Sequence, residues 1–280
     1  MASVAERIVV CDSGLGGLDV AARFFRDCGE SPCDVIYVNA YPGRDWGYND
    51  LATEREQEEL FRRVLEGMER WRPSRCLIAC NTLSIIWKRL SRWWRPPFPV
   101  CGIIEAAVSQ MAGYMKADED AELLILGTKS TVASNVYPSA LEGVGVDGRR
   151  IRSMACHRLA TLIEQNPAAD AVRERIAEYA AMAEGLFVNP PKRLALAFCC
   201  THYGYATEFW RTAFTKHFRH VDILNPNDAM PCSGKGVSFQ YHSRIPMADG
   251  QRTAMSAVFS DRAPLIAAAL SAAVAEDGLF

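Results

Sequence analysis

Short runs of apolar residues recur along the chain, and amphipathic stretches separate them. Short apolar runs bounded by turn signals are typical of buried parallel strands. Segments that are largely apolar predict strands at 8–11, 35–38, 75–79, 100–104, 122–126, 194–198 and 221–224, and a further strand is expected at 151–155. Apolar residues at helical spacing predict helices over about 18–28, 50–71, 83–95, 105–116, 168–186 and 205–217. This alternation of strands and helices predicts an α/β fold with mainly parallel sheets.

The polar residues that follow the predicted strands are small and rich in hydrogen-bonding groups. The first strand runs into a glycine-rich turn that begins with Asp12 and Ser13, and later strands end at Cys80, Thr128 and Cys200. Ligands bind at the carboxyl ends of the strands in open α/β sheets, so these positions are candidates for a site. One strand-end cysteine would mean little, because free cysteine is often buried. Two that precede polar residues indicate a matched pair of thiols.

This pattern occurs twice along the chain. An early polar strand end precedes a later thiol strand end in each half: Asp12 and Cys80, then Thr128 and Cys200. The repetition predicts two similar Rossmann-like (flavodoxin-like) α/β domains facing across a central cleft, with the cysteines on opposite walls. Residues 225–252 are rich in Pro, Gly, Ser and Asn and predict an irregular excursion. Residues 253–259 are expected to form a last strand that rejoins the first domain.

The composition is that of an ordinary globular protein, with 280 residues, 49% hydrophobic and 23% charged. The net charge of −2 gives no field that favours nucleic acid or an anionic membrane, so neither is an expected partner. The apolar run at 263–275 is too short and too rich in alanine to span a bilayer. The ten cysteines lack CxxC and metal-type spacings, so we expect reduced thiols in a cytoplasmic protein and no bound metal.

Two strand-end thiols with neighbouring acid–base groups suit several chemistries. A cysteine hydrolase needs one thiol and an oriented imidazole, which Cys200 and His202 could supply, but Cys80 would then be idle. A pyridoxal enzyme needs a lysine at the site, and none lies beside either thiol motif. The remaining hypothesis is two-base proton transfer, in which one thiolate removes a proton from a carbon acid and the opposite thiol donates one. Asp12 and His202 could hold the two thiols in different protonation states.

Taken together, the strand-end motifs resemble those of the glutamate racemases in the aspartate/glutamate racemase superfamily. The matching segments are Asp12-Ser13-Gly14-Leu15-Gly16-Gly17, Ala79-Cys80-Asn81-Thr82, Gly127-Thr128-Lys129-Ser130-Thr131 and Cys200-Thr201-His202-Tyr203. The resemblance implies a cofactor-independent amino-acid racemase that interconverts L- and D-glutamate. Cys80 would act on the D-enantiomer and Cys200 on the L-enantiomer. Asp12 would assist Cys80, His202 would assist Cys200, and Glu164 would support the histidine.

The resemblance also implies where the substrate is held and how the domains divide. The amino acid would be bound by Asp12, Ser13, Trp46, Gly47, Asn81, Thr82, Thr128, Thr131, Thr201 and His202. The family fold unites the first and last parts of the chain, so the expected domains are 1–102 with 222–280, and 103–221. The first would carry Asp12 and Cys80, and the second Thr131, Cys200 and His202. The product would serve peptidoglycan synthesis or a secondary metabolite, and the oligomeric state, including a homodimer, stays open.

The chain departs from the family in the loop after the second strand. The family has Pro-Tyr-Gly where this sequence has Asp45-Trp46-Gly47, and Gly43 and Arg44 also differ from the usual pattern. An aspartate beside the pocket would repel a side-chain carboxylate, whereas an arginine would attract one. Two alternatives therefore stay open: a racemase of a different acidic amino acid, or another carbon-acid isomerase or decarboxylase on the same scaffold. The intact thiols and their partners argue against a non-catalytic carboxylate-binding protein.

Overall fold

The computed structural model describes residues 6–26 and 28–280 as an α/β protein with two parallel sheets, which confirms the predicted fold class. Residues 1–5 and Asp27, which belong to the predicted first domain and first helix, lie outside the described residues. The chain divides into two compact units. Unit 1 contains the residues up to Ile103 together with Pro231–Phe280, and unit 2 contains Ile104–Met230.

Each sheet is built from adjacent parallel strands. The strands are β1 (Glu6–Asp12), β2 (Pro32–Asn39), β3 (Arg75–Ile78), β4 (Val100–Gly102), β5 (Ala121–Gly127), β6 (Ile151–Ala155), β7 (Arg193–Cys199), β8 (Val221–Leu224) and β9 (Lys235–Ser243). The order in unit 1 is β4-β3-β1-β2-β9, and the order in unit 2 is β6-β5-β7-β8. Every neighbouring pair is parallel, so the carboxyl ends of all strands in one sheet lie along the same edge.

Helices lie between successive strands, as parallel pairing requires, and two more follow β9. They are α1 (Leu18–Arg23), α2 (Glu54–Met68), α3 (Asn81–Leu90), α4 (Ile103–Ala117), α5 (Lys129–Ala133), α6 (Val136–Gly143), α7 (Leu159–Gln165), α8 (Asp170–Glu184), α9 (Thr207–Phe214), α10 (Pro226–Ala229), α11 (Asp249–Phe259) and α12 (Pro264–Ser271). The start of α2 is fixed by a capping box, in which Thr53 and Glu56 each accept a backbone N–H from the other. Over the residues that the structure describes, no helix is long and apolar enough to cross a membrane.

The two sheets hold the candidate thiols at equivalent places. In unit 1, β3 leads to Cys80 and pairs with β1, which ends at Asp12. In unit 2, β7 leads to Cys200 and pairs with β5, which leads to Thr128. The thiol strand therefore lies directly beside the strand that delivers the earlier polar turn in both units. This arrangement brings residues that are far apart in sequence to one edge of each sheet.

The cores are apolar and fix the strand ends. In unit 2, Phe198 packs against Trp210 with ring centroids 5.5 Å apart, and Tyr203 packs against the same indole at 5.4 Å. All three side chains are fully buried, and they flank Cys200 on both sides in sequence. Aromatic pairs of this kind add stability beyond the area they bury. The segment that follows β7 is thus anchored at Phe198 before the thiol and at Tyr203 after it.

The end of the chain differs from the sequence-based prediction. The expected last strand at 253–259 is wrong, because these residues belong to α11, whose buried residues Met255 and Phe259 are spaced by four. The last strand is instead β9, inside the stretch that was predicted to be irregular. Within the part of the chain that the structure describes, β9 pairs with β2 alone, and its residues are exposed or half-buried except for Ser243, which is buried. Its sequence therefore lacks the apolar run that marks the central strands.

Two of the ten cysteines form a disulfide, so the expectation that all thiols are reduced is wrong for this pair. Cys28, in the turn after α1, is bonded to Cys232, which precedes β9, with Cα atoms 5.1 Å apart. The pairing of β9 with β2 brings these two turns together. A hydrogen bond from the backbone N–H of Gly234 to the carbonyl of Cys28, at 2.8 Å, also joins them. The other eight cysteines, including Cys80 and Cys200, are not in disulfides.

Candidate active site

The candidate site begins in unit 1 at Cys80, which is the N-cap residue of α3. Its sulfur accepts the backbone N–H of Leu83 at 3.5 Å, so the thiol lies over the positive end of the helix. The hydroxyl of Ser13 lies 3.1 Å from the same sulfur. Ser13 belongs to the turn after β1, and Cys80 belongs to the turn after β3. The structure thus brings together two predicted site residues that are 67 positions apart.

The surroundings of Cys80 favour a neutral thiol. Burial and, to a smaller extent, the negative charge of Asp12 raise the pKa of this thiol to about 12, although the hydrogen bonds from Ser13 and Leu83 oppose the shift. Asp12 is itself buried at the end of β1. A carboxylate beside a thiolate is unfavourable because both carry negative charge. Cys80 therefore holds its proton unless a neighbour or a substrate changes this balance.

The turn after β1 is held close to Cys80 by short contacts. A Cβ atom at Gly17 would lie 2.8 Å from the Cβ of Asp12 and 2.9 Å from the Cβ of Ala79, so only glycine fits this position. The buried hydroxyl of Tyr37 donates to the carbonyl of Gly14 at 2.7 Å. The close approach explains the glycine at position 17, and the bond from Tyr37 helps to fix the turn that follows Asp12 and Ser13.

The neighbouring residues Asn81 and Thr82 begin α3. Asn81 is buried and Thr82 is half-buried, so both lie near Cys80 at the same sheet edge. Sequence reasoning missed Asn39, a buried polar residue that ends β2 beside Asp12. Its side-chain oxygen accepts the backbone N–H of Tyr41 at 3.0 Å, and its amide lies 3.3 Å from the hydroxyl of Tyr241. The signal that could have revealed it is its place directly after the apolar run of the second strand, the same position that Asp12 has after the first.

The loop that departs from the family pattern lies on the surface of unit 1. Arg44, Asp45 and Trp46 are exposed, and the indole of Trp46 covers Gly43 so closely that a Cβ there would lie 2.2 Å from its nitrogen. Trp46 lines a cavity of about 250 Å³ with Leu51, Arg55, Glu56, Glu59, Leu60 and Arg63. Gly47 is buried, and its N–H donates to Asp50 at 2.7 Å. Trp46 therefore lies over its own loop and shares this cavity with residues of α2.

In unit 2, a cluster of hydroxyl groups follows β5. Thr128 is the N-cap residue of α5, and its oxygen accepts the backbone N–H of Thr131 at 3.2 Å. The same oxygen lies 2.9 Å from the hydroxyl of Thr131 and 3.0 Å from that of Ser130. Thr131 is buried, and Thr128 is half-buried. The cluster can present hydroxyl groups and backbone N–H groups to a polar ligand.

Cys200 lies one residue beyond β7, at the start of a 3₁₀ helix over Thr201–Ala206. The Nδ1 atom of His202 lies 3.8 Å from its sulfur, and the Nε2 atom of His202 lies 2.5 Å from a carboxylate oxygen of Glu164. The imidazole of His202 thus lies between the thiol of Cys200 and the carboxylate of Glu164. Glu164 comes from α7, so the structure brings together residues that the resemblance alone had connected. Cys199 is fully buried at the end of β7, which fits a packing role.

Glu164 and Cys200 control the charge of His202. Burial lowers the pKa of this imidazole, but its contacts with Cys200 and with the Glu164 carboxylate outweigh burial and raise the pKa well above the ordinary value. These contacts therefore favour the protonated imidazole. An imidazolium beside a sulfur stabilises a thiolate there. The two thiols thus have opposite surroundings: Asp12 contributes negative charge near Cys80, and His202 contributes positive charge near Cys200.

Within the described ranges, 6–26 and 28–280, no three or more His, Cys, Asp or Glu side chains are grouped so that they could hold a metal ion. The predicted site residues instead form two sets. Asp12, Ser13, Cys80, Asn81 and Thr82 lie at the sheet edge of unit 1. The second set follows β5 and β7 in unit 2, with Glu164 reaching it from α7, and its members are Thr128, Thr131, Glu164, Cys200, Thr201 and His202.

Comparison with known proteins identifies the family. The Asp/Glu/Hydantoin racemase family matches residues 23–186, which is more than half of the chain and includes Cys80, Thr131 and Glu164. The matched range leaves out Asp12, Ser13, Cys200 and His202.

Individual relatives agree with this match. The glutamate racemase of Helicobacter acinonychis is 26% identical over 215 residues, which cover 76% of this chain and 78% of the relative. The glutamate racemase of Shouchella clausii is 28% identical over 206 residues, which cover 71% of this chain and 67% of the relative.

Solved structures show the same fold. A glutamate racemase from Bacillus anthracis superposes with a TM-score of 0.73 at 18% identity, over 91% of this chain and 94% of that one. A glutamate racemase from Campylobacter jejuni superposes with a TM-score of 0.69 at 21% identity, over 90% of this chain and 98% of that one. The chain therefore belongs to the Asp/Glu/Hydantoin racemase family, and it is an amino-acid racemase, an isomerase that has diverged from the glutamate racemases it resembles.

Proposed function

We propose that this chain interconverts L- and D-glutamate without a cofactor, by two-base proton transfer between Cys80 and Cys200. The observation that carries the proposal is that each thiol lies at the end of a parallel strand beside its own acid–base partners. Ser13 and Asp12 accompany Cys80, and His202 with Glu164 accompanies Cys200. A single nucleophilic thiol would leave one of these two sets without a role.

The proposed reaction moves one proton off the α-carbon and another onto its opposite face. In the L-to-D direction, the Cys200 thiolate takes the α-proton and becomes a thiol, while the electron pair of the C–H bond stays on the carbon. The Cys80 thiol then gives its proton to that carbon and becomes a thiolate. The reverse direction exchanges these roles. Proton exchange with solvent returns both thiols to their starting states before the next turnover in the same direction.

The charges around the two thiols suit this starting state for L-glutamate. The raised pKa of Cys80 keeps the acid protonated, and the protonated His202 lies beside the sulfur that acts as base. General acid–base groups contribute most when their protonation states match the direction of transfer. For D-glutamate, Asp12 would assist Cys80 in reaching the opposite state. The remaining polar residues of the two sets would hold the carboxylates and the amino group: Ser13, Asn81, Thr82, Thr128, Thr131 and Thr201.

The choice of glutamate rests on the relatives. The relatives described above are named glutamate racemases, and solved structures from Francisella tularensis and Escherichia coli contain D-glutamate and L-glutamate respectively. D-Glutamate made by this chain would supply peptidoglycan synthesis, and we place the enzyme in the cytoplasm. The Cys28–Cys232 disulfide is unusual for that compartment, but it lies outside both thiol sets.

The proposal is tested by incubating the pure protein with single enantiomers of glutamate in D₂O, without added pyridoxal phosphate, metal or nucleotide. We expect each enantiomer to give the other, with deuterium at the α-carbon of the product and protium retained in the remaining substrate at early times. This asymmetry follows because different groups remove and donate the proton. Equal early labelling of substrate and product would indicate a single base, and absence of exchange with any amino acid would contradict racemase activity.

A different acidic amino acid is the second candidate substrate, and the loop around Trp46 favours it. Trp46 and Gly47 stand where the family has Tyr and Gly, and the exposed Asp45 would disfavour a distant side-chain carboxylate. We expect Trp46→Tyr to change the relative kcat/KM values for glutamate, aspartate and longer acids. Trp93→Tyr, at another exposed tryptophan of unit 1, is the matched control. If all substrates respond to Trp46→Tyr by the same factor, Trp46 does not set specificity.

A further inference from the structure

The segment after β8 contacts the loop that carries Cys200. It begins at Asn225, whose side-chain oxygen accepts the backbone N–H of Asn227 at 3.3 Å, and Pro226 starts α10. Proline is well suited to the first position of a helix because its missing N–H would have no partner there. The carbonyl of Asn225 also accepts a hydrogen bond from Gln110 of α4 at 3.4 Å. This short segment is therefore fixed at its start by a cap and by a neighbouring helix.

Asn227 reaches from this segment to the candidate site. It is fully buried, with no exposed surface, and its side-chain amide donates to the carbonyl of Thr201 at 3.0 Å. A buried amide is stable only when it is hydrogen-bonded, so its presence in this core needs a reason. Thr201 directly follows Cys200. The bond thus holds the peptide group that is one residue beyond the thiol.

The bond from Asn227 adds to the anchoring that Phe198 and Tyr203 give this segment through their packing on Trp210. Cys200 precedes a 3₁₀ helix and makes no side-chain cap bond to it, although the N–H of Tyr203 donates to its carbonyl at 3.1 Å. Cys80 differs, because its own sulfur caps α3. The Cys80 loop is therefore positioned by the ten-residue helix α3, whereas the Cys200 loop is positioned in part by Asn227.

We propose that Asn227 is a positioning residue for the Cys200 half of the reaction. By holding the carbonyl of Thr201, it fixes the direction in which the sulfur of Cys200 and the ring of His202 approach the substrate. This inference rests on the proposed function and adds a residue that neither the strand-end motifs nor the matched family range includes. Because the bond from Asn227 acts on the residue that follows Cys200, its loss should affect proton abstraction by Cys200 more than abstraction by Cys80.

The test uses Asn227→Leu, which keeps the approximate volume and removes the donor, and Asn227→Ala, which removes the donor without adding bulk. Racemisation itself cannot reveal a one-sided effect, because an equilibrium constant of unity forces kcat/KM to be equal in both directions. Irreversible elimination of chloride from β-chloro analogues needs only the base that faces each enantiomer. We expect kcat for the L-analogue to fall by about 10- to 100-fold, as for other small misplacements of catalytic groups. The D-analogue should change by less than about threefold.

The matched control is Tyr114→Phe, which removes a different hydrogen bond of unit 2, from the Tyr114 hydroxyl to Asp222 at 2.6 Å. It should leave the L-to-D ratio of elimination rates unchanged even if it lowers stability. Equal losses for both enantiomers in the Asn227 variants, or no loss, would overturn the inference, and so would failure of both variants to fold. The proposed function fails separately if the unsubstituted protein shows no elimination. It also fails if Cys80→Ser and Cys200→Ser do not each lose elimination from a different enantiomer.

Discussion

At the scale of single residues, the two candidate thiols differ in the charge that surrounds them. Cys80 lies near the Asp12 carboxylate and Cys200 near the His202 imidazole, which Glu164 contacts from behind. Two identical side chains can therefore begin a reaction in different protonation states. A symmetric pair of thiols would compete for one proton, whereas different surroundings would let one thiol act as acid and the other as base in the proposed mechanism.

Ser13 is expected to stabilise the thiolate of Cys80. Its hydroxyl lies 3.1 Å from the sulfur, and this hydrogen bond lowers the pKa that burial and Asp12 raise. In Ser13→Ala the pKa of Cys80 should rise further, so that less thiolate forms at a given pH. We expect elimination from the D-β-chloro analogue to slow by about tenfold or more, since hydrogen bonds to charged groups contribute about 1.5–3 kcal/mol. The measurement is the pH profile of that elimination, whose rising limb should move to higher pH.

The exposed Ser260→Ala is the control for this change, because the Ser260 hydroxyl contacts only its own helix end and Asp261. It should leave the profile in place. A Ser13→Ala profile that coincides with that of the unsubstituted protein would show that the hydroxyl does not act on Cys80. A change in KM alone would restrict Ser13 to holding the substrate.

Glu164 is expected to keep His202 protonated. Removing the carboxylate in Glu164→Gln should lower the pKa of His202, which NMR titration of the imidazole measures directly. The folded-state pKa is raised above the unfolded value of about 6.5, so the stability that this pair contributes is complete below about pH 6.5 and is lost as pH rises through the folded pKa. The free energy of unfolding should therefore fall more steeply above pH 6.5 in the unsubstituted protein than in Glu164→Gln.

Denaturation in urea between pH 6 and 9 provides that comparison. Parallel pH dependences for the two proteins would contradict the assignment, as would an unchanged titration midpoint of His202. The variant should also slow elimination from the L-analogue, because the imidazolium beside Cys200 becomes less populated. The D-analogue, which depends on Cys80, is the internal reference in the same protein.

At this scale, sequence reasoning could predict the thiols but only part of their surroundings. Cys80 and Cys200 follow apolar runs, so their places at strand ends could be inferred from local pattern. The contact between Ser13 and Cys80 depends on β1 and β3 being neighbours, which no local pattern encodes. Asn227 could not be predicted, because an asparagine in a Pro- and Asn-rich stretch is most simply a turn residue.

At the scale of elements, the central strands were predictable and the edge strand was not. Strands such as β1 and β7 are buried on both faces, so their sequences are continuous apolar runs. The edge strand β9 mixes polar and apolar residues and pairs only with β2. Its place in the sheet follows from tertiary contacts, including the stacking of Tyr241 on Tyr37 with ring centroids 5.8 Å apart. The same contacts support the turn after Asp12, because Tyr37 also binds Gly14.

The disulfide at the start of β9 is expected to stabilise unit 1. Cys28 and Cys232 are 204 positions apart, and joining distant residues restricts the unfolded chain. We expect the double variant Cys28→Ser/Cys232→Ser to lose about 2–4 kcal/mol of unfolding free energy, which urea denaturation measures. Reducing agent should lower the unfolding midpoint of the unsubstituted protein to a similar value.

The control for this prediction is Cys101→Ser, which changes a half-buried cysteine of unit 1 that is not part of a disulfide. It should leave the response to reducing agent intact. If the double variant and the unsubstituted protein unfold at the same urea concentration under oxidising conditions, the disulfide does not contribute to stability. The sequence could not reveal this pair, because ten cysteines without regular spacing give no connectivity.

At the scale of the whole molecule, the chain carries one thiol at the sheet edge of each of two α/β units. The family match and the shared fold establish a racemase, and the pattern of two similar halves was visible in the sequence because each half repeats a polar strand end and a thiol strand end. The substrate was harder to infer, since it depends on an exposed loop whose residues differ from the family pattern. Loops of this kind vary while the sheet that supports them is kept.

The most direct test of the two-base mechanism combines the two cysteine variants with both enantiomers of a β-chloro substrate. Elimination needs a base and no proton donor, so each enantiomer reports on one thiol. We predict that Cys80→Ser loses elimination from the D-form and keeps that from the L-form, and that Cys200→Ser shows the opposite pattern. Racemisation should fall in either variant by about 10²–10⁴-fold or more, because each general acid–base group contributes that much. Normal racemisation by Cys80→Ser, or equal failure of both variants with both enantiomers, would contradict the mechanism.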